Sequence, residues 1–354
     1  MDATSRRFAY AGSHLTTAAT TRSSGDGVWL GVVTIVATLL GWTSIPLFLK
    51  YFTSEIDYYN ANGWRYGLSA LIWAVPLLLA WSRGGLPAGL WRAALIPSIF
   101  NAVAQHCFAV APYKIDPGLM TFSLRAQVIF VTIGAAIMFV PERQVIRTRG
   151  YLIGLGMVLL GTSLTVLLKP GEFRATDAQG VVLSLMAGAC YAAYALSVRK
   201  LMHGMNPLLA FAAVSQYTAA ALVTLMLAAG EQHGLQALKL LEPVEGATGL
   251  MGLPGTRFAL LLLSAVIGIG LGHTFYFLAI QRLGLAVANS VVQLQPITVS
   301  IGSFLLFGEI LTLPQWVSGC FAVLGAGVIL HAQWRADRRR RAEREADVSG
   351  GSSD

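Results

Sequence analysis

The sequence predicts an all-α polytopic membrane protein, with ten transmembrane helices in two inverted five-helix repeats. Three observations carry that prediction. Of 354 residues, 55% are hydrophobic and only 12% charged, about half the charge of a soluble chain. Apolar windows of about 20 residues, each enough to cross a ~30 Å hydrocarbon core, succeed one another along the chain. The second half also repeats parts of the first, at offsets of 168 and 149 residues.

This composition, with a mean hydropathy of +0.63, argues against a soluble enzyme, a disordered regulator or a nucleic-acid-binding domain. The net charge of +8 is no nucleic-acid footprint, because Arg335, Arg338, Arg339, Arg340, Arg341 and Arg344 all follow the last apolar stretch. A basic run beside a span holds topology and touches anionic head groups. Membrane lipids are therefore expected partners and nucleic acid is not. Cys107, Cys190 and Cys320 lie far apart within apolar stretches and read as small core residues.

Taken in order, residues 1–27 are a Ser/Thr-rich tail, expected to be disordered and cytoplasmic. The apolar run after it is too long for a signal h-region and reads as an uncleaved first span. The spans are expected at 28–50, 62–81, 90–113, 118–140 and 148–168, then at 179–198, 207–229, 256–281, 285–307 and 314–334. Connectors hold turn formers such as Arg83-Gly84-Gly85 and Asp116-Pro117-Gly118. The longer connector 230–255 contains LQALKLL, which is expected to lie flat at the interface. The first repeat is placed at 28–169 and the second at 179–334, with a basic, disordered cytoplasmic tail at 335–354.

Charge sets the orientation. Lys50, Arg65, Lys114, Lys169, Arg174, Lys239 and Arg257 fall on the outer side and Arg125 within a span; the rest of the 25 Lys and Arg fall inside. The positive-inside rule then gives both termini cytoplasmic, in the inner or plasma membrane of a cell.

The repeat is read residue by residue. Laying 111–134 on 279–302, at an offset of 168, brings Thr121 onto Asn289, Arg125 onto Gln293 and Gln127 onto Gln295. Gln105 meets His273 and Phe108 meets Tyr276 at the same offset, and a one-residue slip brings Glu142 onto Glu309. At an offset of 149, Trp42 meets Tyr191 and Lys50 meets Arg199. Halves with an odd number of spans have opposite orientation, the plan of many secondary transporters.

With FVPER (139–143) followed by YLIGLGMVLLG, and LFGE (306–309) followed by LTLPQWVSGCFAVLGAGVIL, the chain resembles the drug/metabolite transporter superfamily of the EamA-repeat type. The resemblance spans about 28–333, with Pro141 where such repeats often have Gly. It implies small-molecule transport and leaves the substrate open, since members carry amino acids, sugars, nucleotide-sugars and drugs.

Arg125 is the most informative residue. Eight residues into its span, or ~12 Å at 1.5 Å per residue, it lies near the midplane, where an ionised side chain costs at least about 2.5–3.5 kcal/mol. No acid within a span neutralises it, which favours a substrate anion over a purely structural Arg held by carbonyls and amides. Thr121 shares its helix face, and Asn289 and Gln293 mirror the pair, so these four are expected to line one cavity or, as the alternative, to glue helices together. Gln105, His273, Tyr276, Trp42 and Tyr191 complete the candidate substrate site. His106, His273, Glu142 and Glu309 are candidates for proton coupling, against helix-linking and capping roles.

No catalytic cluster, metal set or cofactor motif is expected. Gly268, Gly270 and Gly272 lack a preceding strand and a phosphate-binding Lys, and no Walker A lysine motif occurs. These glycines, and Gly150 with Gly154, read as places of close helix packing. The expected function is a non-enzymatic secondary transporter of a small anionic or zwitterionic metabolite, amino-acid-like for example, by alternating access. Export of drug-like organic compounds and flipping of a lipid-linked substrate are the alternatives. Monomer and homodimer are both left open.

Overall fold

The computed structural model describes residues 25–168, 174–243, 255–283 and 285–350, and among them every regular element is helical. Among the described residues nine helical segments are long and apolar enough to cross a membrane. Helix α1 (Gly25–Tyr51) is followed by α2 (Tyr58–Ser82). Asp57 starts α2 by accepting from the backbone N–H groups of Tyr59 and Asn60, the two donors an N-cap satisfies. The helix thus begins before the expected residue 62, and Arg65 lies within the span rather than at its edge. Helix α3 is Leu90–Val110.

The fourth span, Pro117–Met138, is broken into α4 (Pro117–Leu124) and α5 (Gln127–Met138). Helices α6 (Val140–Ile146), α7 (Arg149–Leu167), α8 (Ala175–Leu201) and α9 (Pro207–Ala229) follow, the last capped by Asn206 as α2 is by Asp57. Helix α10 (Thr256–Ala265) runs through a π-helical turn, Val266–Leu271, into α11 (Gly272–Leu283). The segment expected as one helix over 285–307 is α12 (Leu285–Val292) and α13 (Gln295–Phe307), and α14 (Leu313–Gly350) closes the chain.

The two breaks share one geometry. Around Arg125 the chain tightens to i→i−3 bonds, from the N–H of Arg125 to the Phe122 carbonyl and of Ala126 to that of Ser123. Around Leu294 the same pattern runs from Leu294 to Val291 and from Ile297 to Leu294. Pro296 supplies no N–H, so the second ladder cannot continue as α-helix. Mid-helix 3₁₀ passages of this kind often mark hinges.

Helices pair as α2 with α9, α3 with α8, α1 with α11, and α7 with α14. In the last pair the backbones nearly touch: a Cβ on Gly154 would sit 2.7 Å from the Gly325 carbonyl oxygen, and one on Gly161 2.6 Å from that of Ser318. Gly150, expected to share this contact, meets only Ala332, at 3.9 Å. Helix α4 packs on α13, where a Cβ on Gly118 would meet Ser300 Oγ at 2.7 Å. Helix α5 instead packs on α6, α7 and α8, and α12 on α1, α11 and α14.

One expectation changes, at the C-terminal tail. The LQALKLL stretch has Gln236–Leu241 as a 3₁₀ helix, with Ala237 and Leu240 buried and Leu235, Leu238 and Leu241 exposed. It follows a turn held to α2, where Trp64 Nε1 donates to the Gly234 carbonyl at 2.9 Å. The tail at 335–354, expected to be disordered, continues α14 through Gly350. Its Ala, Arg and Glu are strong helix formers, and a span already supplies the costly nucleus.

Candidate functional site

Arg125 ends α4 at the first break and reaches across to the second. Its Nη1 donates to Gln293 Oε1 at 3.3 Å and its Nη2 to Gln295 Oε1 at 2.5 Å. Its Nε is buried without a partner. Among the described residues no carboxylate pairs with it. Among the described residues a full positive charge is therefore held by neutral amides alone, with the Nε donor unspent.

Gln295 carries the contact onward, since its Nε2 donates to the Trp42 carbonyl at 2.8 Å. The Trp42 ring lies 5.2 Å from His273 and 4.9 Å from Tyr276, and its Nε1 is buried without a partner. His273 stacks on Phe211 at 4.2 Å and 19°, and its Nδ1 lies 3.1 Å from the Ile269 carbonyl. That carbonyl belongs to the π turn, which widens the helix just before the aromatic pair. Gly272 permits the approach, because a Cβ there would sit 2.7 Å from Trp42 Nε1. Arg125, Gln293, Trp42, His273 and Tyr276 thus form one network.

The other sequence candidates sit elsewhere. Thr121 is fully buried and turns its hydroxyl onto its own helix, at 2.9 Å from the Pro117 carbonyl. Gln105 accepts through its backbone carbonyl from Asn62. His106 stacks on Tyr59 at 5.4 Å, next to Tyr58, at an end of α2 far in sequence from the break. Tyr191 packs near Phe108, on the Arg65 side of the bundle. The side chains of Asn289 and Glu142 lie outside the described residues.

Glu309 follows α13 and pairs with Lys50 Nζ at 2.9 Å, while also accepting from Ser303. Lys50 reaches Asp116 as well, at 3.8 Å. Burial pushes the Glu309 carboxyl above the ordinary carboxylate range, and the charge of Asp116 adds to the shift. The hydrogen bonds from Ser303 and Lys50 and the charge of Lys50 oppose it without cancelling it.

Sequence reasoning missed Gln295 as a site residue, although its match to Gln127 and its place before Pro296 were signals. It also assigned Arg65 to a loop margin, because no capping signal was read at Asp57.

With this geometry, the comparisons with known proteins become informative. Residues 178–331 match the EamA-like transporter family. The matched segment includes α8 through most of α14. With the nine candidate spans among the described residues, this supports an integral multi-pass membrane protein whose second half is similar to EamA-like transporters. No curated protein matches the chain. One solved structure, described only as the crystal structure of a protein, matches with a TM-score of 0.50 at 14% identity. That match covers 87% of this chain and 98% of the other, a likeness of fold alone.

Proposed function

We propose that the protein is a secondary transporter that moves a small anionic or zwitterionic metabolite by alternating access between two inverted halves, 28–169 and 179–334. The carrying observation is the Arg125 guanidinium, held among the described residues only by Gln293 and Gln295, with Nε unpartnered. A cation kept without a counter-ion inside a membrane is suited to receive one from a substrate. The inverted plan is supported by the pairing of spans: α3 with α8 mirrors α11 with α1, while α2 with α9 and α7 with α14 map onto themselves. The matching breaks at Arg125–Ala126 and Gln293–Leu294 support it too. Both termini are placed in the cytoplasm and the protein in the inner or plasma membrane.

The test is transport in vesicles, normalised to folded protein. Arg125→Gln keeps hydrogen bonding and loses the charge, so transport of an anionic substrate is abolished while the protein still inserts. Arg125→Lys is also impaired, because a point charge cannot replace a planar fork. Normal transport by well-folded Arg125→Gln would sink the anion reading.

One observation favours a second reading, a lipid-linked substrate. A cavity of about 340 Å³ lies beside the first break, lined by Ala126, Phe130, Val166 and Leu185, with the Thr162 hydroxyl buried and unpartnered. Its apolar walls suit an acyl or prenyl chain. Flipping of a fluorescent lipid-linked anion, blocked by Ala126→Trp, would favour this reading over the soluble metabolite.

A further inference from the structure

We infer that Arg65 is a second oxyanion-binding group of the same pathway, accepting a carboxylate or a phosphate group; this rests on the transporter reading above. Arg65 is 2% exposed and is the largest of the fully buried side chains. It stands seven residues into α2, ~10 Å from the helix start, against ~12 Å for Arg125 in its own span. Two cations therefore lie at similar depth on two spans that run the same way in the proposed topology.

The surroundings of Arg65 are those of an unfilled acceptor site. A guanidinium has five N–H donors. Among the described residues one is used, from Nε to Ser264 Oγ at 2.8 Å. Ser264 spends its own proton on the Leu261 carbonyl, at 2.6 Å. No carboxylate pairs with Arg65 and no aromatic ring lies beneath it, among the described residues. Its electrostatic neighbours are the phenols of Tyr66, Tyr191 and Tyr113. Tyr113 already donates to the Ile56 carbonyl at 2.8 Å. A structural arginine in a membrane fills its fork with carbonyls or an acid. Among the described residues this one makes no hydrogen bond from either Nη group.

Tyr191 joins the two stations. It lies one turn beyond Gly188 on the same face of α8. A Cβ on Gly188 would be 3.1 Å from the Leu124 carbonyl oxygen and 3.3 Å from Gln127 N, so α8 passes directly against the break that presents Arg125. Tyr191 thus neighbours Arg65 on one side and is one turn from the contact with that break on the other.

The test is thermal unfolding of the purified full chain, titrated separately with sodium phosphate and sodium acetate against sodium chloride at matched ionic strength. At least one oxyanion is expected to raise the unfolding temperature of the wild type. Arg65→Gln should weaken the apparent Kd at least about tenfold, since charge-assisted hydrogen bonds are lost, with Arg65→Lys intermediate and Arg125→Gln retaining a response. A response to acetate assigns a carboxylate, and one to phosphate alone assigns a phosphate group. If Arg65→Gln does not fold, Arg65→Lys decides. A folded Arg65 variant that binds like the wild type, or a wild type that answers neither anion, overturns the inference. Loss of the response in Arg125→Gln with a full response in Arg65→Gln rejects this site and leaves the Arg125 reading standing; a weakened response in both variants supports two stations, and the Arg125 reading is tested separately by transport in vesicles.

Discussion

Lys50, at the end of α1, and Glu309, after α13, meet at 2.9 Å and fasten the first half of the chain to the second. Asp116, ahead of α4, shares the same ammonium at 3.8 Å, and Ser303 shares the same carboxylate. Three segments, the end of α1, the start of α4 and the end of α13, are therefore tied at one charged point.

This tie gives a pH dependence with a definite sign. The Glu309 carboxyl is raised in the folded protein, chiefly by burial. Below its unfolded pKa both states are protonated and burial has no ionic cost; stability then falls as pH rises through the raised folded value. The ion pair itself is lost as pH falls through that value. Lys50→Met should destabilise the protein by about 1–3 kcal/mol at pH 7 by leaving a half-buried carboxylate unpaired, with recovery on acidification. Glu309→Gln should remove the pH dependence and melt no lower than the wild type at pH 7. Unfolding temperatures across pH 4–8, roughly the carboxylate-to-neutral window, check both.

Gln295 offers a sharper probe of Arg125 than truncation. Gln295→Glu places a carboxylate where the amide oxygen now accepts from Nη2. The variant should insert normally and match or exceed the wild type in stability, yet lose transport of anionic substrates because the counter-ion is built in. Retained transport with unchanged affinity would contradict the counter-ion role.

The α7–α14 seam is sensitive to single atoms. Gly161→Ala sets a methyl group 2.6 Å from the Ala322 nitrogen and the Ser318 carbonyl, both backbone atoms that cannot turn aside. It should cost about 1–3 kcal/mol. Gly156→Ala, with nothing within 4 Å, is the control and should be neutral or slightly stabilising. Thermal unfolding of the two variants in one detergent compares them directly.

Orientation is checked by reporter fusions after Arg92, Arg147, Lys200 and Arg338. All four are expected to report the cytoplasm. An external signal at any of them overturns the proposed topology.

Much of the architecture is legible in the sequence because bilayer thickness fixes span length and apolar windows record it. The start of α3, the π-interrupted span over Thr256–Leu283 and the end of α13 fall within a few residues of their expected places. The breaks were less legible. Pro296 announces one, but the turn at Arg125 has no proline, and its 3₁₀ bonds follow from packing against α13 and the reach to two glutamines. In the site, the polar match of Arg125 to Gln293 proved a real contact. Thr121 shares the helix face of Arg125, but spacing alone cannot tell a hydroxyl aimed at a cavity from one bonded to its own backbone. Arg65 was misplaced because a window average hides a cation near a capped helix start.

Helices α4 and α13 are clasped together while α5 and α12 are docked on separate neighbours. In the orientation proposed above, the clasped pair lies in the external half, which is what the proposed cycle requires of the state that exchanges cargo with the cytosol. For an exporter that is the loading state, and for an importer the unloading state. Nothing in such a shape favours one direction of net flux. The sign of transport then resides in the concentration and voltage gradients that the cell maintains, and reversing those gradients across a vesicle should run the same protein backwards.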